Sequence, residues 1–171
     1  MRAVLFASVI PTMGLKTYKG KRDFQKTPEP GGGPDKKKLG KKADLVYIIQ
    51  RHQASRLHYD LRLEEEGVLK SWAVPKEPPV EEGVRRLAVQ VEDHPLAYAG
   101  FEGTIPEGEY GAGTVKIWDK GSYVPEETMP AKRVFEIKGG VLRGRYCLIK
   151  LKIQDPEDHN WLFFKMKKGP A

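Results

Sequence analysis

The fold of this chain is constrained most strongly by a series of short strand-like runs, of which residues 57–63 alternate strictly between apolar and polar side chains. Eight such runs, rich in β-branched and aromatic side chains, follow one another from residue 44 onward, with clusters of Gly, Pro, Asp and Glu between them. No long segment shows the period of an amphipathic helix. The runs lie at residues 45–50, 57–63, 68–74, 86–91, 114–118, 134–137, 146–153 and 161–166. This pattern predicts an all-β protein.

Length and composition narrow the choice of architecture. The chain has 171 residues, which suits one domain or one domain with a tail, and its 39% hydrophobic content is enough for a core. A single cysteine, Cys147, excludes an internal disulfide bond, and no apolar run reaches the roughly 18 residues of a membrane helix. So many strands in a small domain leave edges that must be covered. We therefore predict a small closed or nearly closed β-barrel of about eight strands.

The positive charge is confined to one part of the sequence. Residues 1–42 contain 11 Lys and Arg against 3 Asp and Glu, whereas residues 43–171 contain 19 against 20. We therefore divide the chain into a basic extension and arm at 1–43 and a barrel domain at 44–171. Within the arm, residues 31–42 have the composition of a flexible basic loop. Such a loop can lie along phosphates, although a merely solvated charge run is an equally good interpretation.

The first fifteen residues are apolar apart from one arginine, and three interpretations are open for them. They are similar to a short secretory signal but lack a small-residue cleavage site. A variable extension, a first strand or a translation start at Met13 fits better. We expect a cytoplasmic protein without membrane association.

The run at 57–63 combines a core face with a chemically active face. Because successive strand side chains point to opposite sides, its apolar residues share one face, and His58, Asp60 and Arg62 share the other. Histidine and aspartate can hold a divalent metal, and an adjacent arginine can bind a phosphate oxygen. His52 lies before a predicted turn and could swing back to complete the metal site. The alternative is a surface ion pair of Asp60 with Arg62 beside an incidental histidine.

Two other histidines and one loop have separate interpretations. His94 follows the run at 86–91, and it could be a further ligand or a proton donor to a leaving group. His159 lies in an acidic turn, where we expect it on the surface. The glycine-rich segment 107–113 lies between two predicted strands, so it indicates a hairpin turn and not a phosphate-binding loop.

Five longer motifs occur together in this chain. They read RDFxxTPEP at 22–30, QRHxASRLHYDLRLE at 50–64, LKSWAVPK at 69–76, VEDHPLxY at 91–98 and FEGTIPEGEYGAGTVxIWD at 101–119. From about Lys21 to the C-terminus, the chain resembles the 3′-phosphoesterase domain of bacterial DNA ligase D and its free-standing bacterial and archaeal relatives. Because the length leaves no room for a ligase or polymerase domain, the resemblance implies a stand-alone form.

The resemblance implies an activity on DNA ends. Members of the family remove a 3′-terminal ribonucleoside as phosphodiesterases and then the remaining 3′-phosphate as phosphomonoesterases, which leaves a 3′-OH end. They use a divalent metal, typically manganese, on a small β-barrel. The implied partners are DNA 3′ ends and, for recruitment, a separate end-joining ligase, polymerase or Ku-like protein. We expect a monomer.

The resemblance also implies three groups of site residues. The metal ligands match His52, His58 and Asp60. The residues that hold the scissile phosphate match Arg62, His94, Tyr98 and Arg22. The other positions in or around the site match Asp23, Glu29, Gln50, Lys76, Arg86 and Glu92. His94 is in addition the candidate proton donor to the leaving oxygen.

Two rival functions fit parts of the pattern. A His58-x-Asp60 pair followed by His94 is similar to the iron-binding triad of non-haem oxygenases, which would require iron and an oxoacid cosubstrate. A non-catalytic nucleic-acid-binding barrel would use its basic arm alone. Arg62 and the basic arm together fit phosphate chemistry better than oxygen chemistry.

Overall fold

The computed structural model describes residues 15–31 and 45–168, and the chain there is built mainly from nine β-strands. The all-β prediction is confirmed, and each of the eight predicted runs coincides with a strand. The strands are β1 Leu45–Gln53, β2 Leu57–Glu65, β3 Val68–Val74, β4 Arg85–His94, β5 Gly103–Ile105, β6 Gly113–Met129, β7 Lys132–Gly139, β8 Arg143–Lys150 and β9 Asn160–Lys165. Residues 15–20 are helical, and Leu96–Gly100 forms a 3₁₀ helix.

The sheet closes on itself and confirms the predicted barrel. Its antiparallel strands follow the order β1-β2-β3-β4-β9-β8-β7-β6, and β6 then pairs with β1 from Tyr123 opposite Leu45 to Thr114 opposite Gln53. Eight strands thus form the ring. β5 is an additional short strand that pairs with the start of β6. It was not predicted, because three residues are too few to show an alternating pattern.

Two strand boundaries were predicted wrongly. β6 has 17 residues, against five predicted, and its first half pairs with β1 while its second half pairs with β7. Pairing with neighbours keeps its polar second half extended, which alternation alone could not indicate. β8 ends at Lys150, although the apolar pattern continues to Ile153. Leu151 and Ile153 lie in the following turn and are 52% and 64% exposed.

Side chains that point into the barrel form what we call the inner core. On β2, Tyr59, Leu61 and Leu63 face inward, and Leu61 lies opposite Trp72 of β3. The buried members are Tyr47, Ile49, Tyr59, Leu61, Leu63, Trp72, Val74, Ala88, Tyr123, Phe135, Ile137, Leu142, Tyr146, Leu148, Trp161 and Phe163. Because side chains fill the interior, a ligand has to bind on the outside of the barrel.

A second apolar cluster, the outer cluster, lies on the outer face of the barrel. Strand residues Leu69 and Val115 contribute to it from below. They are covered by Tyr18 from the arm and by the segment 96–105, which ends at Ile105 of β5. The buried members are Tyr18, Leu69, Leu96, Tyr98, Phe101, Ile105 and Val115. Residues 15–31 therefore pack against the barrel, and polar side chains of β1 to β4 are enclosed between the two layers.

Among the described residues, the helical segments are all too short to cross a lipid bilayer. The predictions for residues 1–14 and for the lysines of the basic loop fall on positions outside the described ranges.

Candidate active site

A cavity of about 290 Å³ opens on the outer face of the barrel, beside the outer cluster. The strands β1 to β4, the arm, the 3₁₀ helix and the loop before β6 all contribute to its wall. The lining residues are Arg22, Glu29, His52, Ala54, His58, Asp60, Arg62, Ala73, Val91, Glu92, His94, Tyr98, Ile105, Tyr110 and Gly111. Most of the predicted site residues therefore meet here.

The hairpin of β1 and β2 brings two histidines and an aspartate together. His52 and His58 are direct cross-strand partners, and their ring centroids are 4.7 Å apart. Asp60 lies on the same face as His58. Its Oδ1 is 3.4 Å from His58 Nε2, and its Oδ2 is 3.7 Å from His52 Nδ1. One ligand atom from each residue lies within 4.8 Å of the others, so small side-chain shifts would bring all three onto one ion.

Backbone carbonyls orient both imidazoles toward Asp60. His52 Nε2 donates to the carbonyl of Gly111 at 2.7 Å, and His58 Nδ1 donates to the carbonyl of Arg56 at 3.1 Å. In each ring the other nitrogen faces the carboxylate, where it can bind a metal ion in its unprotonated form. Metal-binding histidines are commonly held this way, with the second N–H fixed by a carbonyl. The donor set and its support fit a divalent metal ion.

The surroundings keep Asp60 ionised and favour cation binding. Burial alone would raise the pKa of Asp60, but the Arg62 guanidinium and the contacts with His52 and His58 outweigh it and hold the pKa well below its usual range. The pKa of His58 is raised, because its contacts with Asp60 and with the carbonyl of Arg56 outweigh burial. A proton and a metal ion therefore compete for His58.

The charge of the cavity is an independent argument for a metal. Two guanidinium groups and three carboxylates line it, so the carboxylates outnumber the guanidinium groups by one. A divalent cation on the His52, His58 and Asp60 group would offset this excess of negative charge and make the cavity more suitable for an anion.

Arg62 is buried next to this group and held in one orientation. Its Nε donates to Gln50 Oε1 at 2.7 Å, its Nη1 to Ser71 Oγ at 2.8 Å, and its Nη2 lies 3.4 Å from Asp60 Oδ2. The Tyr98 ring packs against the guanidinium, with Cζ 4.7 Å from the ring centroid. Within the described residues these contacts use three of its five N–H groups, so two are available to a bound anion.

Gln50 connects Arg62 to the segment that covers the site. Its amide nitrogen donates to the carbonyl oxygens of Tyr98 at 2.7 Å and Phe101 at 3.0 Å. The side chain is fully buried and does not line the cavity. Gln50 therefore positions Arg62, and we expect it to act on the ligand only through that residue.

The arm adds a second guanidinium to the cavity wall. Glu29 is buried and accepts hydrogen bonds from Arg22 Nε at 2.9 Å, Tyr98 Oη at 2.7 Å and Thr27 Oγ1 at 2.9 Å. Arg22 also stacks on Tyr18, with Cζ 4.0 Å from the ring centroid. One carboxylate thus ties the arm to the 3₁₀ helix and fixes Arg22.

His94 lies between the two guanidinium groups. Its Nδ1 donates to the carbonyl of Glu92 at 3.0 Å, and its Nε2 is 3.4 Å from Arg22 Nη2. Burial, together with the charges of Arg62 and Arg22, holds the pKa of His94 well below its usual range. The imidazole is therefore neutral at pH 7, with an unprotonated Nε2 at the cavity. Within the described residues, His94 is absent from the potential metal-binding group, which contains His52 instead.

Glu92 provides a carboxylate oxygen that is not fully satisfied. Its Oε1 is buried and has no hydrogen-bond partner among the described residues. Two cations lie near this oxygen, Lys21 Nζ at 3.5 Å and Arg22 Nη1 at 3.8 Å. At these distances each forms an ion pair with it only. Because a buried acceptor without a partner is costly, this oxygen is a suitable acceptor for a ligand hydroxyl or a water molecule.

Besides Gln50, three of the predicted site residues do not reach the cavity. Asp23 is exposed and accepts a hydrogen bond from the backbone N–H of Gln25. Arg86 donates to the carbonyl of Glu77 at 2.7 Å, and Lys76 is exposed. Neither belongs to the cavity lining. Any role of these three residues in binding a longer substrate remains a prediction.

Sequence reasoning missed two contributions to the site. Ser71 supports Arg62 from the facing position on β3, and only the strand register brings them together. The segment 107–113 does connect two paired strands, as predicted, but its Tyr110 and Gly111 also line the cavity. An isolated aromatic residue within a glycine-rich turn was the one sequence signal for Tyr110.

Comparison with known proteins identifies the family of the chain. A family model described as the DNA Ligase D 3′-phosphoesterase domain matches residues 50–150, which is more than half of the chain. The chain belongs to this family. The matched region contains His52, His58, Asp60, Arg62 and His94, whereas the arm lies outside it.

Individual relatives match a longer part of the chain. A Pseudomonas aeruginosa protein named multifunctional non-homologous end joining protein LigD is 49% identical over 163 residues, which cover 92% of this chain and 19% of that protein. A Mycolicibacterium smegmatis protein of the same name is 46% identical over 165 residues, covering 90% of this chain and 20% of the relative. The chain therefore spans about a fifth of the length of these relatives.

Proposed function

We propose that this protein is a metal-dependent phosphoesterase that heals DNA 3′ ends for non-homologous end joining. It would remove a 3′-terminal ribonucleoside as a phosphodiesterase and a 3′-phosphate as a phosphomonoesterase. The observation that carries the proposal is the His52, His58 and Asp60 group directly beside the buried guanidinium of Arg62. Membership of the phosphoesterase family supports the same activity.

The metal and the arginines have complementary tasks in this proposal. A divalent cation held by His52, His58 and Asp60 would polarise the phosphate and lower the pKa of a water molecule that attacks phosphorus. Arg62 uses its two available N–H groups to bind equatorial phosphate oxygens and offset their charge. Arg22, fixed by Glu29, adds a second positive charge on the arm side of the cavity.

The two reactions differ in the bond that breaks. In the diesterase step the water oxygen bonds to phosphorus, the bond from phosphorus to O5′ of the terminal ribonucleoside breaks, and a proton ends on O5′. In the monoesterase step the bond from phosphorus to O3′ breaks, and O3′ takes the proton. Both steps need a proton source near the leaving oxygen.

We assign the proton transfer to Nε2 of His94. In the free protein this nitrogen is unprotonated, because burial and two guanidinium groups lower the pKa of the imidazole. A phosphate bound between Arg62 and His94 would add negative charge beside the ring and raise that pKa. The Nδ1 hydrogen bond to the carbonyl of Glu92 keeps Nε2 directed at the cavity during the transfer.

Manganese is the metal we propose. Two imidazoles and one carboxylate suit several first-row divalent ions, and this set leaves coordination positions for phosphate and water. A non-haem oxygenase uses the same ligand types. The rival triad that included His94, however, is not formed within the described residues, and the neighbouring guanidinium groups suit a phosphate.

The decisive experiment uses end-labelled primer–templates that carry either one 3′-ribonucleotide or a 3′-phosphate. The full chain is incubated with Mn²⁺ and, in parallel, with EDTA. We expect ribonucleoside removal and dephosphorylation in Mn²⁺ and neither reaction in EDTA. Absence of metal-dependent processing on both substrates would contradict the proposal and favour a non-catalytic DNA-binding protein.

Variants test the assignment of the metal group in the same assay. Asp60→Ala should abolish both reactions, because it removes the negative ligand at the centre of the group. His159→Ala is the matched control, since His159 is an exposed histidine in the turn before β9. Wild-type rates for Asp60→Ala would show that the metal lies elsewhere.

The proposed setting is the repair of broken DNA in the cytoplasm by a monomer. The relatives are named as multifunctional end-joining proteins, and we propose that a separate ligase, polymerase or Ku-like protein supplies the other steps here. The lysines of the basic loop at 31–42 would bind the DNA backbone without sequence preference.

A further inference from the structure

Tyr110 is the one tyrosine among the described residues whose side chain is largely exposed, and it lies at the cavity. It is 46% exposed, whereas the other tyrosines are buried. Its ring contributes to the same wall as His52, Arg22 and Glu92. A large exposed aromatic ring beside a cavity lined by charged side chains needs an explanation that burial does not provide.

The backbone fixes the position of Tyr110 relative to the metal group. The carbonyl of the next residue, Gly111, accepts the hydrogen bond from His52 Nε2. Gly111 and Gly113 both have positive φ angles, and a Cβ atom on Gly113 would lie 2.1 Å from the carbonyl oxygen of Gln53. Only glycine permits this close approach of the loop to the β1–β2 hairpin. The ring is thus held next to the site on a backbone that is anchored to it.

Two cations of the arm contact the same ring. Lys21 Nζ is 4.8 Å from the ring centroid and 3.4 Å from the hydroxyl oxygen, and Arg22 Cζ is 5.3 Å from the centroid. An aromatic surface flanked by positive charge is the combination that binds single nucleotides, since bases stack on the ring while the cations attract the backbone.

We propose that Tyr110 is the binding surface for the base of the 3′-terminal ribonucleoside, the part of the substrate that leaves in the diesterase reaction. This inference rests on the proposed function. With the scissile phosphate at Arg62 and the metal group, the leaving nucleoside lies on one side of that phosphate and can reach the mouth of the cavity. A 3′-phosphate end has no nucleoside beyond the phosphate. Tyr110 therefore serves the diesterase reaction and not the monoesterase reaction.

The test compares three ends of one duplex: a 3′-ribonucleotide, a 3′-phosphate and a 3′-terminal ribonucleotide that lacks its base. Tyr110→Ala should lower kcat/KM on the ribonucleotide end by roughly tenfold, the scale of one lost base–aromatic stacking contact. It should leave the 3′-phosphate end within about twofold of wild type. On the end without a base, the wild type should already be slow, and Tyr110→Ala should cause no further loss, because the stacking partner is missing.

Two further variants separate stacking from other roles. Tyr110→Phe removes the hydroxyl that contacts Lys21 but keeps the ring, so on the ribonucleotide end it should restore most of the kcat/KM that Tyr110→Ala loses. Met129→Ala, at an exposed position at the end of β6, is the control for a surface truncation.

Other outcomes overturn the inference in distinguishable ways. If Tyr110→Ala lowered kcat/KM equally on the ribonucleotide and phosphate ends, Tyr110 would either support Arg22 or contact a nucleoside upstream of the scissile phosphate. Equal losses for Tyr110→Ala with and without the terminal base would exclude stacking on that base. A wild-type protein inactive on both substrates contradicts the proposed function itself, and the role of Tyr110 would be rejected with it.

Discussion

Asp60 and Leu61 are neighbours on β2, yet they belong to two regions with opposite chemistry. Leu61 is fully buried in the inner core among aliphatic and aromatic side chains. Asp60 is also buried, but it lines the cavity and faces two histidines and a guanidinium. Both faces of β2 are buried, but apolar side chains cover the inner face and charged and polar side chains surround the outer one.

The comparison shows how a small barrel separates stability from chemistry. The inner core gains stability from burying apolar surface and contains no site residue. The outer face buries charged groups, which is costly unless each group is paired, and the network around Glu29 and Arg62 provides those pairs. A substitution in the inner core should therefore affect mainly folding, whereas a substitution on the outer face should affect mainly activity.

The largest effect is expected for His58→Ala. Loss of this ligand should reduce Mn²⁺ affinity and activity by more than roughly 100-fold, beyond the effect of losing a residue that only supports a ligand. Because the His58 side chain is 25% exposed, unfolding by urea should change little. Calorimetric Mn²⁺ titration and the end-processing assay check this, and unchanged metal affinity would refute the assignment of His58 as a ligand.

The converse variant is Leu61→Ala. The cavity left in the inner core should lower the free energy of unfolding by about 3 kcal/mol. Activity per folded molecule should remain close to wild type, since Leu61 points away from the site. Urea unfolding combined with active-site titration measures both quantities. A large loss of activity in fully folded protein would mean that the two faces are not independent.

A smaller effect is expected where the arm is attached. Glu29→Gln keeps the shape of the side chain but removes the charge that fixes Arg22 and Tyr98, so activity should fall by roughly tenfold through misplacement of Arg22. Limited proteolysis should cut near residues 15–31 sooner, while barrel unfolding stays nearly unchanged. Glu127→Gln, in an exposed ion pair with Lys132, is the control. Equal effects of the two substitutions would contradict a special role for the arm.

The smallest effect concerns pH. The pKa of His94 is well below its usual 6.5 in the folded protein. At a pH between the folded-state pKa and 6.5, His94 therefore binds a proton in the unfolded chain but not in the folded protein. Stability should therefore decrease as pH falls below about 6.5, by about 1.4 kcal/mol per pH unit at most. Urea unfolding of wild type and His94→Gln at pH 5.5 and 7.5 measures this. The same pH dependence in both proteins would contradict a neutral buried His94.

Much of the fold could be predicted because most barrel strands are short runs of β-branched and aromatic residues bounded by turn-forming residues. The residues at 57–63 alternate, and that alternation alone places Leu61 and Asp60 on opposite faces. The sequence motifs also pointed to His52, His58 and Asp60. The extent of β6 could not be predicted, because pairing with β1 and β7, and not its own composition, keeps residues 119–129 extended.

The sequence by itself determined the strand pattern, the separation of charge between arm and barrel, and the residue types available for metal and phosphate binding. Only the tertiary structure decided which of them meet. Strand register places Ser71 opposite Arg62, and the packing of the arm brings Arg22 to His94 across 72 positions of sequence. The same folding brings His52, and not His94, next to His58 and Asp60 and sets Tyr110 at the cavity. These contacts depend on pairing between distant strands and on packing between layers, which the local alternation of residues does not encode.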